Sequence, residues 1–156
     1  MLNLPEDFEH EHEGVVVARP TFGITLFSAK AISEYADEVL QAFARYRELV
    51  GDEALRFFST ATMRKHRKVT KRSLSMLNDW FGPDAPAGEE YGIEYIDADP
   101  YDEAPRSRFV IFGEEDIEGH ERKRASMLRI VLPFSWGTER VDEAFSLVAE
   151  LCDLIP

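Results

Sequence analysis

Two rhythms of apolar residues alternate along this chain: short runs, and three- and four-residue steps. The run Met127-Leu128-Arg129-Ile130-Val131-Leu132-Pro133-Phe134-Ser135-Trp136-Gly137 is the most apolar in the C-terminal half. Its length predicts a strand rather than a helix. Pro133 has no N–H to give to a ladder, so the strand stops there or lies at an edge. Gly137 and Thr138 then punctuate the chain, and Thr138 with Glu139 behind it predicts a helix N-cap. From about Glu139 to Leu154 the steps return, with Val141, Phe145, Val148, Leu151, Cys152 and Ile155 placed on one core-facing side.

The rest of the pattern arranges itself around that strand and helix. Val15 to Ala18 is a short apolar piece, cut by Pro20 from a run in which Phe22, Ile24 and Leu26 alternate with smaller residues, as a half-buried strand requires. Ile32, Tyr35, Val39, Phe43, Tyr46 and Val50 mark an amphipathic helix that Gly51 stops. Leu55 to Thr60 predicts another strand, and Ser73 to Phe81 a second helix ended by the Gly82-Pro83 loop. Glu90 to Asp97 and Arg106 to Gly113 are two more strands. Three consecutive strands without a helix between them favour antiparallel pairing. The expectation is an α+β fold, mainly an antiparallel sheet with helices packed on one face. Residues 1–14 read as a flexible acidic arm and 15–156 as a single domain. Ending directly after a core-facing helix, the chain looks like a fragment of a longer one.

Charge changes this picture more than composition does. With 44% hydrophobic residues in 156 the chain can bury a core, but 30 acidic residues against 18 basic ones leave a net charge of -12. Such a field repels nucleic acid and anionic membranes and favours a basic partner. The one basic cluster, Arg64-Lys65-His66-Arg67-Lys68 with Lys71 and Arg72, has the look of a nucleic-acid patch. In so acidic a molecule it reads better as a solvated face or as a partner for the chain's own carboxylates. Cys152 is alone, which fits a reducing compartment, and its apolar position suggests a small core residue. The N-terminus has no basic segment followed by an apolar run, and nothing approaches a membrane span. These features predict a cytoplasmic protein.

Candidate chemistry is scarce. The chain has no G-x-S-x-G, phosphate loop, G-x-G-x-x-G or CxxC. His10, His12, His66 and His120 all fall in polar stretches. His10-x-His12 has no evident third ligand for a metal. Asp97 to Glu103 is similar to a calcium loop but lacks its glycine and its terminal glutamate. No cofactor, metal site or catalytic residue is expected. What remains is the distribution of charge. Between Gly82 and Glu121 there are 13 acidic residues against Arg106 and Arg108. Two loops concentrate them, and Asp97, Asp99, Asp102, Glu103, Glu114, Glu115, Asp116 and Glu118 are the candidate partner-binding residues. Such a field speeds encounter with a basic surface. Tyr101, Tyr95 and Phe112 are candidate aromatic anchors for the desolvated centre. Other classes compatible with the residues are a non-catalytic adaptor with a different partner and a metal-dependent enzyme.

The run Leu128 to Gly137 followed by the last helix resembles the family of type VI secretion immunity proteins. The strand Thr21 to Phe27, the helix through Tyr46 to Gly51 and the strand Leu55 to Phe58 follow the family's order. The resemblance covers the chain from about Val15. It implies an immunity protein that binds and neutralises a cognate toxin, in the family's named case a nuclease of the VRR-NUC type. Family members continue beyond the last helix, so part of the family's domain is expected to be missing or reduced here. The family has no catalytic residues to carry over.

Overall fold

The computed structural model describes residues 8–81, 90–114 and 126–156. Strands β1 (His10–His12) and β2 (Val15–Ala18) form an antiparallel hairpin. Its turn uses Glu13 (φ 53) and Gly14 (φ 80). Two successive residues in the left-handed region are what a tight hairpin turn asks for. The C-terminal end of the expected arm is thus strand-paired.

The six-stranded sheet holds β3 (Thr21–Ser28), β4 (Phe57–Thr60), β5 (Arg67–Lys68), β6 (Glu90–Ile96), β7 (Arg108–Glu114) and β8 (Ser126–Pro133). Their order is β3-β8-β7-β6-β4-β5, and every neighbouring pair is antiparallel. The apolar run foreseen as the organising strand is β8, between β3 and β7. Pro133 is its last residue, as the missing N–H requires. The consecutive strands β6, β7 and β8 form the meander that the sequence predicts.

One face of the sheet carries the core. Ile24, Phe58, Ile93, Tyr95, Phe109, Ile111, Leu128 and Ile130 are all buried there. The main helix α1 (Ala36–Val50), entered through a 3-10 turn at Ile32–Tyr35, lays Val39, Ala42, Phe43 and Tyr46 on them. The Phe43 ring stacks on Tyr95 at 4.9 Å and meets Phe109 at 4.9 Å, while Tyr46 meets Phe109 at 5.3 Å. Aromatic pairs at such spacing add to the burial of their area. Helix α2 (Lys71–Trp80) starts at Thr70, which accepts the Ser73 N–H and donates its own N–H to Ser73 Oγ. This capping box begins the helix two residues before the expected Ser73. Tyr95 Oη donates to the Ser73 carbonyl and ties α2 to the same face.

The last helix, α3 (Val141–Leu154), corrects two expectations. Thr138 is not its cap: a 3-10 turn at Phe134–Gly137 intervenes, and Arg140 precedes the first helical residue. The Arg140 guanidinium lies 3.8 Å over the Trp136 ring, which holds the entry in place. The buried side is Ala144, Leu147, Leu151 and Ile155. Phe145 is 71% exposed and Cys152 is exposed, so Cys152 is not a core residue. The two stripes lie within a quarter-turn of each other, and packing against α1 selects the one without the aromatic ring.

Among the described residues, the other face of the sheet is open at one end and covered at the other. Val131 and Ile96 point to it yet are buried. There the Ala104 N–H bonds the Val16 carbonyl, joining the β1–β2 hairpin to the loop after β6. Towards the other end Phe27, Met127 and Phe112 form a cross-strand row, with Phe27 69% exposed.

Candidate partner-binding surface

The first acidic loop, between β6 and β7, is built by its own carboxylates. Asp97 Oδ1 accepts the N–H groups of Arg106 and Ser107 at 2.9 and 3.1 Å, closing the loop across ten residues. Asp99 Oδ1 accepts the Tyr101 N–H, and its carbonyl accepts the N–H groups of Asp102 and Glu103. Asx turns of this type fix a loop without any regular element. Glu103 accepts from the guanidinium of Arg19, whose side chain is only 4% exposed. Glu9 stands 3.6 Å from the Arg19 Nε, and Arg106 lies 4.0 Å from both Glu9 and Glu103. A buried guanidinium needs such partners, because an uncompensated charge there costs several kcal/mol, on the order of 3–5. Three of the candidate binding residues, Asp97, Asp99 and Glu103, thus have partners inside the chain. The arrangement leaves Tyr101 and Asp102 outward, with Tyr101 72% exposed.

Beside this cluster is a cavity of about 210 Å³ lined by Arg19, Arg106, Pro133, Phe134, Thr138 and Glu139. Arg19 was not singled out in the sequence. Its signal was faint: a lone arginine between the short apolar run and Pro20.

The second acidic stretch starts where β7 ends, at Glu114; Glu115, Asp116 and Glu118 lie outside the described residues. Asp97 to Glu103 precede β7, which spans seven residues. Glu114 is therefore separated from the first loop along β7 by ~20 Å. Of the aromatic anchors only Tyr101 joins the first loop at the surface. Tyr95 is 0% exposed, stacked in the core, and cannot reach a partner. Phe112 is 38% exposed on the open sheet face.

One histidine departs from expectation. His66 is half-buried, its Nε2 2.7 Å from Glu94 Oε2 and 3.2 Å from Ser59 Oγ. Glu94 Oε1 also accepts from Arg108 Nε at 3.1 Å. A hydroxyl, a histidine and a carboxylate suggest a nucleophile relay, but both contacts use the same ring nitrogen. A relay needs the carboxylate on one nitrogen and the hydroxyl on the other. The group instead fastens the β4–β5 connection to β6. The basic residues around it, Arg64, Lys65, Arg67, Lys68, Lys71 and Arg72, are all exposed. No group of three or more metal-ligating side chains occurs among the described residues. No helix among them is long and apolar enough to cross a membrane.

Comparison with known proteins gives two findings. The TsiV family model, type VI immunity for VRR-NUC, matches residues 38–156. That span runs from the third residue of α1 through all of β4–β8, α2 and α3. No curated protein matches the chain by sequence. Among solved structures, a Pseudomonas aeruginosa T6SS protein superposes with a TM-score of 0.66 at 15% identity. The match covers 85% of this chain and 37% of that one, so this chain spans little more than a third of that protein's length. At such low identity the likeness is one of fold.

Proposed function

The chain belongs to the TsiV family of type VI immunity proteins, and on that premise we propose that it binds a cognate VRR-NUC effector and neutralises it by occlusion. Family membership carries the reading; the charge distribution supports the mode. A nuclease must hold a polyanion, so its cleft is basic. An acidic protein can cover that cleft without any chemistry of its own, and it would act in the cytoplasm, where the nucleic acid is.

The proposed contact is centred on Tyr101 and Asp102. Asp97, Asp99 and Glu103 hold the loop in shape while adding to its negative field. Glu114 adds charge from the other end of β7, and Glu115, Asp116 and Glu118 follow it in the sequence. A loop already tied by its own hydrogen bonds loses little freedom on binding, which favours affinity. Tyr101 supplies a large, rigid anchor, and the carboxylates supply steering more than affinity.

The test uses the purified effector and reads nuclease activity and association rate. The wild-type chain is expected to abolish DNA cleavage at equimolar ratio, with association slowing as salt is raised. Tyr101→Ala should speed dissociation about tenfold or more. Asp102→Lys should slow association and flatten the salt dependence. An effector inhibited equally by both variants would remove this loop from the interface. An effector not bound at all would remove the immunity reading for this partner.

A further inference from the structure

We propose that the free edge of β3 pairs with β3 of a second copy, in an antiparallel register that sets Thr25 opposite its own counterpart. No other described strand pairs with the outer side of β3. The strand is eight residues long, runs against β8 without a bulge, and contains no charged residue and no proline. Free edges with those properties template pairing unless something blunts them.

The occupant follows from the strand's own sequence. Gly23, Thr25 and Phe27 point to the open face of the sheet, and Phe22, Ile24 and Leu26 to the core face. In an antiparallel pair, residues directly opposite share a face. Setting Thr25 against Thr25 of the second copy places each Phe27 ring over the other copy's Gly23. Phe27 is 69% exposed in the single chain. Nothing lies within 4 Å of where a Gly23 Cβ would be, so a ring has room to cover that position. An aromatic ring laid across a glycine on the neighbouring strand shields backbone that the glycine leaves bare. Shifting the register by two residues in either direction loses both of these contacts. On the core face the same register sets Ile24 against Leu26 of the second copy. Leu26 is only half-buried in the single chain.

No charge on the edge strand itself opposes the pairing, and the long-range repulsion between two copies of net charge -12 is screened by salt. Arg129 stands opposite Thr25, but one strand further in. The two copies' guanidiniums would be three strand spacings apart, about 14 Å. The product would be one continuous antiparallel sheet across a two-fold axis, the commonest symmetry of soluble oligomers. It would leave the loop at Tyr101 free, so it stands apart from the immunity reading.

Sedimentation equilibrium of the full chain reads the proposal directly. The wild type is expected to show a concentration-dependent dimer. In a Cys152→Ser background, Thr25→Cys should cross-link to itself under mild oxidation. Gly23→Cys should not, because in this register its counterpart faces Phe27. Phe27→Ala, which removes the contact twice per dimer, should raise the dimer dissociation constant about tenfold. A wild type that stays monomeric up to high concentration overturns the proposal, whatever the variants do. Cross-linking through Gly23→Cys in place of Thr25→Cys overturns the register. A monomer whose β3 amides become protected only on adding effector assigns the edge to the effector and overturns it as well.

Discussion

The two edges of the six-stranded sheet are opposites. At one end, β5 is two residues long, and both residues are exposed cations, Arg67 and Lys68. Arg64, Lys65, Lys71 and Arg72 surround it, also exposed. At the other end, β3 is eight residues long and uncharged. A short, basic edge repels another strand by its like charge and offers few free N–H and C=O groups. A long, uncharged edge without a bulge does neither. The basic cluster that resembled a nucleic-acid patch in the sequence is thus placed where it can blunt an edge. The same comparison shows what blunting leaves undone at β3.

The middle of the sheet sets the scale for both edges. Phe109, on β7, is fully buried against Phe43 and Tyr46. Phe109→Ala should cost about 3–5 kcal/mol in urea unfolding, because it removes a ring and leaves a cavity under α1. A loss below about 1 kcal/mol would mean that the core face does not hold the two halves of the sheet together.

The next effect separates the halves by pH. Burial raises the pKa of Tyr95 and of Tyr46 above the usual tyrosine value, with the charge of Asp97 adding to the rise at Tyr46. A tyrosine whose pKa is higher in the folded state keeps its proton there after the unfolded chain has lost it. Its stabilisation is complete below about pH 10 and declines as pH climbs towards the folded value, by about 1.4 kcal/mol per pH unit for each ring. Tyr95 is the ring that ties α2, on the β5 side, to the sheet. Tyr95→Phe should cost about 1–3 kcal/mol at neutral pH, since the Ser73 carbonyl loses its donor. It should also flatten the alkaline slope, leaving the part that Tyr46 and Tyr35, whose pKa values burial also raises, contribute. Unfolding curves at pH 8, 10 and 11 read both; an unchanged slope would mean that Tyr95 is not buried as a neutral phenol.

Transferring the device of one edge to the other is a smaller perturbation of the fold. Thr25 is exposed. Thr25→Lys should therefore change unfolding free energy by no more than about 0.5 kcal/mol. Across the proposed two-fold axis it would set two ammonium groups against each other, and like charges directly opposite destabilise a strand pair. Light scattering should show any wild-type dimer gone. A dimer that survives Thr25→Lys would move its interface elsewhere.

How much of this was legible in the sequence depends on whether a residue answers to its neighbours in the chain or to distant ones. β8 was legible because an apolar run ended by a proline has few other uses. The β6–β7–β8 meander was legible because no helical period interrupts it. β5 was not, since Arg67 and Lys68 have no strand preference and are extended only because β4 pairs with them. Helix α3 offered two apolar stripes, and only its contact with α1 decides between Leu147 and Phe145. The acidic loop was legible as charge. That Asp97 closes the loop onto Arg106 and Ser107, and that Glu103 serves a buried Arg19, depend on contacts between residues 10 and 84 positions apart.

The smallest expected effect on stability is at β5 itself. Arg67 and Lys68 are exposed, and neither has an ion pair among the described residues. Replacing both with threonine should alter unfolding free energy by no more than about 0.5 kcal/mol. Threonine suits an extended strand better than lysine does, so any change should be slightly stabilising. The consequence should instead be colloidal. With both cations gone, the edge keeps its unpaired backbone groups and loses the charges that kept other strands away. Turbidity after prolonged incubation at high concentration should rise for Arg67→Thr with Lys68→Thr and stay flat for the wild type, most clearly at low salt, where the native charges are least screened. A double variant as soluble as the wild type would show that the brevity of β5, rather than its charge, is what protects that edge. The contrast with β3 would then be one of length alone.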